Sequence, residues 1–353
     1  MKSLNYSLQE VSCDFPYWRF EVMPEGKIHH CCPTWLPQNI GKITDFSILE
    51  AFEGDISKKI RESIELGEFK YCDKKLCPYL SQYVNLGEIR SPIHKKKDLS
   101  KKDYSLEHTK RILIMLNYDP SCNLRCPSCR NETRLFTEEN ASDELKAIHL
   151  AVMKNIRELR EKDFFLHLNI TGSGDAFASP LYFRLLRELE YSPRMLLEIQ
   201  TNGTLMEENR FTDAMYRMIH FLTVSVDAAS QPVYELVRRG GNFDRLVKNL
   251  DWMDKTILGG RFEHKIYYKI NFIVQKDNFR EMVNFAKWIL SYSSVSEIWF
   301  NLIADWGHLP KNDFDSRAIW QKEHPDHEEF LELVKNPILR NPRINLGNLT
   351  TYL

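Results

Sequence analysis

The stretch Ser121-Cys-Asn-Leu-Arg-Cys-Pro-Ser-Cys129 constrains this chain more than any other. Its thiols, Cys122, Cys126 and Cys129, stand in C-x3-C-x2-C spacing just after an apolar run, Ile112 to Leu116. Spacing this short places three sulfurs around one metal centre once the loop folds back on itself. A structural zinc site normally takes four ligands, and no fourth Cys or His lies close by in the sequence. A cubane iron–sulfur cluster has four irons and is commonly held by thiolates, so three thiolates leave one iron open. The competing readings are a partial zinc site and stray core cysteines.

Cysteine usage across the chain points the same way. The eight cysteines are Cys13, Cys31, Cys32, Cys72, Cys77, Cys122, Cys126 and Cys129, and none follows Cys129. A secreted disulfide protein would not crowd its thiols in this manner without a signal peptide. Met1 to Glu10 lacks an apolar core, and no run of 18 or more apolar residues occurs. Neither a signal peptide nor a membrane span is expected, which makes cytoplasmic residence the default. The 353 residues allow two domains or one large one. With 43% hydrophobic and 27% charged residues the composition is globular. The net charge of −1 implies no general pull toward nucleic acid or membrane.

From residue 111 to 304, apolar β-branched runs alternate with helical segments, the pattern of βαβ units and a parallel sheet. The expected strands are Arg111 to Tyr118, Phe165 to Thr171, Leu196 to Thr201, Phe221 to Asp227, Ile266 to Gln275 and Glu297 to Ile303. The expected helices are Ala141 to Lys162, Pro180 to Glu190, Pro232 to Val237, Phe243 to Lys255 and Phe279 to Tyr292. Ligands of parallel α/β sheets sit at the carboxyl ends of strands, and the polar motifs fall at or near those ends.

The C-x3-C-x2-C stretch closely resembles the signature of radical S-adenosylmethionine (SAM) enzymes, with Ser128 where that family often has an aromatic residue. The resemblance implies an α/β fold, a partial (β/α)6 barrel similar to a TIM barrel. It implies a 4Fe–4S cluster on Cys122, Cys126 and Cys129 whose open iron chelates the amino and carboxylate groups of SAM. The reduced cluster of such enzymes cleaves SAM to a 5′-deoxyadenosyl radical, which abstracts a hydrogen atom from the substrate. Within Thr171-Gly-Ser-Gly-Asp175, residues Gly172, Ser173, Gly174 and Asp175 look like the family's glycine-glycine-glutamate motif for the SAM amino group, with aspartate replacing glutamate. Thr201 ends the third strand with Asn202 just after it, and Ser225 opens the Ser-Val-Asp end of the fourth. Arg238 lies thirteen residues beyond Ser225; in similar enzymes such a serine and arginine contact the SAM carboxylate and ribose, and a guanidinium fork suits a carboxylate. Asn271 and Gln275 in the fifth strand are expected to face adenine.

Upstream, Trp18 to Met23 and Ile28 to His30 flank Pro24-Glu25-Gly26-Lys27, a turn between two short strands. That hairpin would bring Cys13 and Cys31 together. A helical stretch, Thr44 to Leu66, leads to Cys72-Asp-Lys-Lys-Leu-Cys77. Four such thiols make either a zinc ribbon or an auxiliary cluster. The C-x12-G-x4-C opening resembles the SPASM or Twitch auxiliary-cluster domain, although that domain usually follows the barrel. The resemblance implies one auxiliary 4Fe–4S cluster on Cys13, Cys31, Cys72 and Cys77, with Cys31 favoured over Cys32 by the glycine spacing. His29 and His30 are left unassigned. The expected division is therefore an auxiliary-cluster domain at 1–85, a lysine-rich linker at 86–110, the barrel at 111–304 and a C-terminal helical extension at 305–353. Trp306 and His308 in the extension are placed where a substrate would lie.

An auxiliary cluster gives an electron somewhere to go, which favours a two-electron oxidation over a redox-neutral epimerisation. Relatives act on ribosomal peptides, carbohydrates or other small molecules. The first 85 residues are spent on cysteine ligands rather than on a leader-peptide module, which tilts the expectation toward a sugar or other small polar substrate. The resemblance also implies an electron donor such as flavodoxin or ferredoxin, with no membrane or nucleic-acid partner. The competing classes are radical modification of a ribosomal peptide, a cluster-bearing electron carrier or redox sensor, and a zinc-stabilised binding module.

Overall fold

The computed structural model describes residues 6–96, 106–130, 132–137, 139–170, 173–305 and 309–353. Thr171, Gly172, Trp306, Gly307, His308, Lys97, Lys101 and Lys102 lie outside the described residues. The chain divides into two compact units, each discontinuous in sequence: Met1–Asp119 with Glu139–Ser173 and Ser192–Leu196, and Pro120–Glu138 with Gly174–Tyr191 and Leu197–Leu353.

In the first unit, β1 (Val11–Cys13) leads to the hairpin of β2 (Arg19–Val22) and β3 (Lys27–His29). The hairpin pairs Glu21 with His29 and Val22 with Ile28, as the turn signal predicts. Gly26 carries φ +71 in that turn, and a Cβ there would stand 3.1 Å from Ile148, so glycine suits the position on two counts. The short β4 (Gly41–Lys42) pairs antiparallel with β3. The expected helix from Thr44 to Leu66 is two helices, Ile48–Glu53 and Asp55–Glu65, with Gly54 in extended conformation between them. Ser47 and Glu50 form a capping box on the first.

Part of the stretch expected as a solvated linker forms a strand. Ile93–Lys95 forms β5 and pairs antiparallel with β1, setting Cys13 opposite Ile93, and His94 Nε2 lies 3.0 Å from Asp14 Oδ2. Next, β6 (Arg111–Leu116) pairs parallel with β7 (Phe165–Ile170) on one side and with β2 on the other. The N-terminal segment thus supplies a strand beside the first strand of the expected barrel. The helix Asp143–Glu161 is capped by Ser142, and its Asn155 side chain accepts a hydrogen bond from Ile48 N at 2.7 Å. His30 is fully buried against Phe20 and Phe52, 2.6 Å from Ser57 Oγ. Burial pushes its pKa down to about 3, so it is a neutral core residue.

The second unit is a parallel sheet. From Leu197 onward β8 (Met195–Thr201) pairs with β9 (Ile219–Ser225), β9 with β10 (Tyr267–Val274), β10 with β11 (Glu297–Leu302), and β11 with the short β12 (Ile344–Asn345). One face is apolar: Leu222, Val224, Tyr268, Ile270, Phe272, Ile298 and Phe300 are buried. Phe285 of the helix Met282–Leu290 packs on it, 4.7 Å from Phe272 and 5.9 Å from Phe300 between ring centres. The opposite face is polar, because the alternate positions carry Gln200, Thr223, Ser225, Lys269, Asn271 and Glu297. All six strands expected between 111 and 304 form, and the connecting helices follow them. The fold is therefore α/β with parallel strands.

Candidate active site

The cysteine loop is sutured by three later loops, all within the second unit. Ser121 O accepts a hydrogen bond from Asp175 N at 2.9 Å. Asn123 is held by the turn after β8: its Oδ1 accepts from Asn202 Nδ2 at 2.9 Å, and its Nδ2 donates to Thr204 Oγ1 at 2.8 Å. The same Asn202 amide lies 3.7 Å from Cys122 Sγ. Arg125 N donates to Arg239 O at 2.9 Å, and Gly240 approaches the backbone of Asn123 and Leu124. Within the loop, Cys126 O accepts from the backbone N–H groups of Cys129 and Arg130, so the last two cysteines share a single turn. Cys122 and Cys126 are buried, whereas Cys129 is exposed.

Asp175 pins this arrangement together. It is 1% exposed. Its Oδ1 accepts from Phe177 N and Ala178 N, both at 3.0 Å, and its Oδ2 accepts from Thr201 Oγ1 at 2.8 Å and Asn202 N at 2.7 Å. Burial raises its carboxyl pKa above the ordinary value, and the four donors offset only part of that rise. Both oxygens and the Thr201 hydroxyl are therefore engaged with protein groups. Asn202 braces the cysteine loop. In the first unit, Ser173 Oγ donates to Asn117 O at 2.6 Å.

The turn after β8 needs a glycine at 203. Gly203 carries φ +78, and a Cβ there would come within 2.7 Å of Leu246 and 2.8 Å of Val224. Gly203→Ala combines left-handed strain with overpacking and is expected to cost roughly 2 kcal/mol or more. Urea unfolding of the variant checks this, and a midpoint equal to the parent's would refute it.

Arg238 closes the other side. It caps the helix Gln231–Val237 at its C-terminus. Its Nη2 lies 2.7 Å from Asp227 Oδ2, and its Nη1 lies 3.7 Å from Cys126 Sγ. Asp227, at φ 67, sits in left-handed backbone just past β9. Ser225 stands in register with Asn271. Asn271 Oδ1 and Gln275 Nε2 are buried and lack a hydrogen-bond partner among the described residues. Gln275 Oε1 accepts from Arg317 Nη1 at 2.9 Å. An orphaned acceptor and an orphaned donor near the end of one strand are what a polar ligand would satisfy.

Burial pushes the Cys122 thiol pKa up to about 11, with Asp175 and Cys126 adding to the rise. Burial raises Cys126 as well, while Arg238 opposes it. Iron loading must therefore expel protons from neutral thiols. Among the described residues, no group of three or more Cys, His, Asp or Glu converges as the ligands of one ion do. The thiolates of a cubane bind different irons and stand further apart.

Residues 116–286 match the radical SAM superfamily. This stretch is a radical SAM domain. Such a domain takes a 4Fe–4S cluster and SAM and works with a reductant. Among solved structures the chain is similar to a radical SAM methyltransferase from Sphaerobacter thermophilus. The two are 16% identical with a TM-score of 0.36, covering 64% of this chain and 63% of that one. No curated protein matched the chain in sequence. Among the described residues no helix is long and apolar enough to cross a membrane.

Sequence reading overlooked Asn123 and Thr204, whose side chains tie the cysteine loop to the β8 turn. It also passed over Lys269 and Trp299, which lie on the polar face of the second sheet. A period of two within the strands, polar on one face only, was the available signal for the latter pair.

Proposed function

We propose that the chain is a radical SAM enzyme that oxidises a small polar substrate, a carbohydrate or similar polyhydroxylated molecule, by two electrons. The observation that carries the radical chemistry is the convergence of the loops at 174–178, 201–204 and 238–241 on the cysteine loop. On this reading the second sheet belongs to a partial (β/α)6 barrel, and 305–353 is an extension that closes it. Cys122, Cys126 and Cys129 would hold the cluster, which on reduction would give bound SAM the electron for radical chemistry. The backbone at Gly174, the Ser225 hydroxyl and the orphaned amides of Asn271 and Gln275 line the SAM site.

The polar face of β8–β11 favours a small polar substrate over a peptide. Gln200, Thr223, Lys269 and Glu297 lie in one register row across four strands. The Lys269 ammonium stands 4.3 Å from the centre of the Trp299 ring. Burial lowers the Lys269 pKa while Glu198 and Glu297 raise it. The Trp299 Nε1–H is buried with no partner among the described residues. A flat aromatic surface ringed by donors and acceptors suits hydroxyl groups and C–H faces.

We further propose an auxiliary SPASM/Twitch-like cluster at 1–85, with 86–110 joining it to the barrel. Cys31 and Cys72 lie close enough to raise the Cys13 thiol, Cys77 and Cys31 to raise Cys72, and Cys32 to raise Cys77, each adding to the effect of burial. Trp35 Nε1 donates to Cys31 Sγ at 3.0 Å, which supports Cys31 over Cys32 as the ligand. In the balanced reaction the substrate loses one hydrogen atom to the radical, one proton to solvent and one electron to the auxiliary cluster. A flavodoxin or ferredoxin in the cytoplasm is the expected donor of the first electron.

Anaerobic reconstitution followed by SAM and dithionite, with 5′-deoxyadenosine read by mass spectrometry, tests the enzyme class. Protein that assembles clusters yet neither binds SAM nor forms 5′-deoxyadenosine would refute it. For the auxiliary site, Cys72→Ala is expected to lower iron from about eight to about four per chain while 5′-deoxyadenosine still forms. Unchanged iron, or zinc in the parent protein, would remove the auxiliary cluster from the proposal.

A further inference from the structure

Arg238 stands in the place where its spacing suggests a contact to the SAM carboxylate, but its two terminal nitrogens are engaged otherwise, and only Nε is buried without a partner among the described residues. One terminal nitrogen is 2.7 Å from Asp227 Oδ2 and the other is 3.7 Å from Cys126 Sγ. Asp227 is itself held firmly: its Oδ1 accepts from Ile273 N at 2.8 Å and its carbonyl from Asn278 Nδ2 at 2.9 Å. Its left-handed φ of 67 is a conformation that non-glycine residues adopt only when their surroundings impose it. Side-chain exposure is 12% for Arg238 and 2% for Asp227, so solvent screens the pair weakly. Both partners of Asp227 besides Arg238 come from the β10 end: Ile273 N lies within the strand and the Asn278 side chain just after it. The aspartate is thus a fixed clamp, and the guanidinium it holds points at a cluster ligand.

We infer that Arg238 is a positioning residue for the cluster: clamped by Asp227, it orients Cys126 and raises the cluster's reduction potential. The physical reason is charge. Reduction adds an electron to the cluster, and hydrogen bonds to the ligand sulfurs together with nearby net charge set the potential. A cation against Cys126 favours the reduced state, the state from which SAM is cleaved. Removing the guanidinium withdraws that cation and also uncovers the Asp227 carboxylate beside the cluster, so both changes act in the same direction. The inference rests on the cluster reading of Cys122, Cys126 and Cys129.

The test compares parent, Arg238→Gln and Arg238→Lys as reconstituted full-length proteins. Iron is counted, and the potential is read by electron paramagnetic resonance during a mediated dithionite titration without SAM. The signal component followed is the one that Cys126→Ala removes. SAM affinity is measured separately by equilibrium dialysis on the oxidised protein. Arg238→Gln is expected to keep its iron and to shift the reduced-to-oxidised ratio at a given potential at least tenfold, 59 mV for a one-electron couple, toward the oxidised form. Arg238→Lys restores most of that shift, and SAM affinity changes less than threefold. An unchanged potential in Arg238→Gln overturns the inference, as does iron loss in both variants, which would mark a structural role alone. Tenfold weaker SAM binding returns Arg238 to the SAM carboxylate. A parent protein that assembles no cluster at Cys126 refutes the enzyme reading itself, an outcome distinct from all of these.

Discussion

Cys126→Ala is expected to reduce 5′-deoxyadenosine formation to background. The side chain is 6% exposed, at the centre of a loop whose other two thiols cannot hold a cubane by themselves. The substitution leaves the turn intact, because the hydrogen bonds there run to the Cys126 carbonyl from Cys129 N and Arg130 N. Arg238 keeps Asp227 as its partner, so no buried charge is abandoned. The loss therefore reports cluster ligation rather than unfolding. Iron should fall by about four per chain, while circular dichroism stays that of the parent. Cys32→Ala is the companion control and should retain both iron and product. A Cys126→Ala protein that cleaves SAM at the parent rate would refute the assignment of this loop.

Asp175→Ala is expected to cost roughly 3–5 kcal/mol of stability, since each buried donor left without an acceptor costs about 1–3 kcal/mol. Four donors lose their partner at once: Phe177 N, Ala178 N, Asn202 N and the Thr201 hydroxyl. Asp175→Asn keeps the volume but turns an N–H toward donors on one side, so it should fall between alanine and the parent. Because Asn202 and Thr204 brace Asn123 of the cysteine loop, the variant should also lose SAM affinity. Urea unfolding and equilibrium dialysis read the two effects. If Asp175→Ala unfolds within about 0.5 kcal/mol of the parent while SAM binding collapses, the carboxylate binds SAM and is not the structural pin described above. That threshold is the usual size of a surface substitution.

Both expectations show where sequence reading succeeds and where it stops. The six strands after residue 110 were legible because each writes its own period into the chain: Ile112, Ile114 and Leu116 alternate buried with the less buried Arg111, Leu113 and Met115. The β2–β3 hairpin was legible from Pro24 and Gly26. The division of Thr44 to Leu66 was less so, because Gly54 weakens a helix without forbidding it, and the break depends on Ser47 and Asp55 starting separate helices. The strand at Ile93–Lys95 was hidden, because its three residues are Ile, His and Lys and only pairing with β1 makes them a strand.

For the site, local spacing sufficed to mark the cysteine loop, since thiols three and four positions apart stay close together wherever the loop lies. It also marked Asp175, Thr201 and Asn202 as polar residues near strand ends, and Arg238 by its interval from Ser225. Which groups those residues face was a different matter. Asp175 meets Asn202 across 27 positions and Arg238 meets Cys126 across 112. Such partners are chosen when parallel strands bring their carboxyl ends together, and a buried polar atom then bonds with whatever the tertiary structure presents. Residue type and interval are local properties and can be read along the chain. The choice of hydrogen-bond partner is made in three dimensions, where the cost of an unpaired buried group decides it.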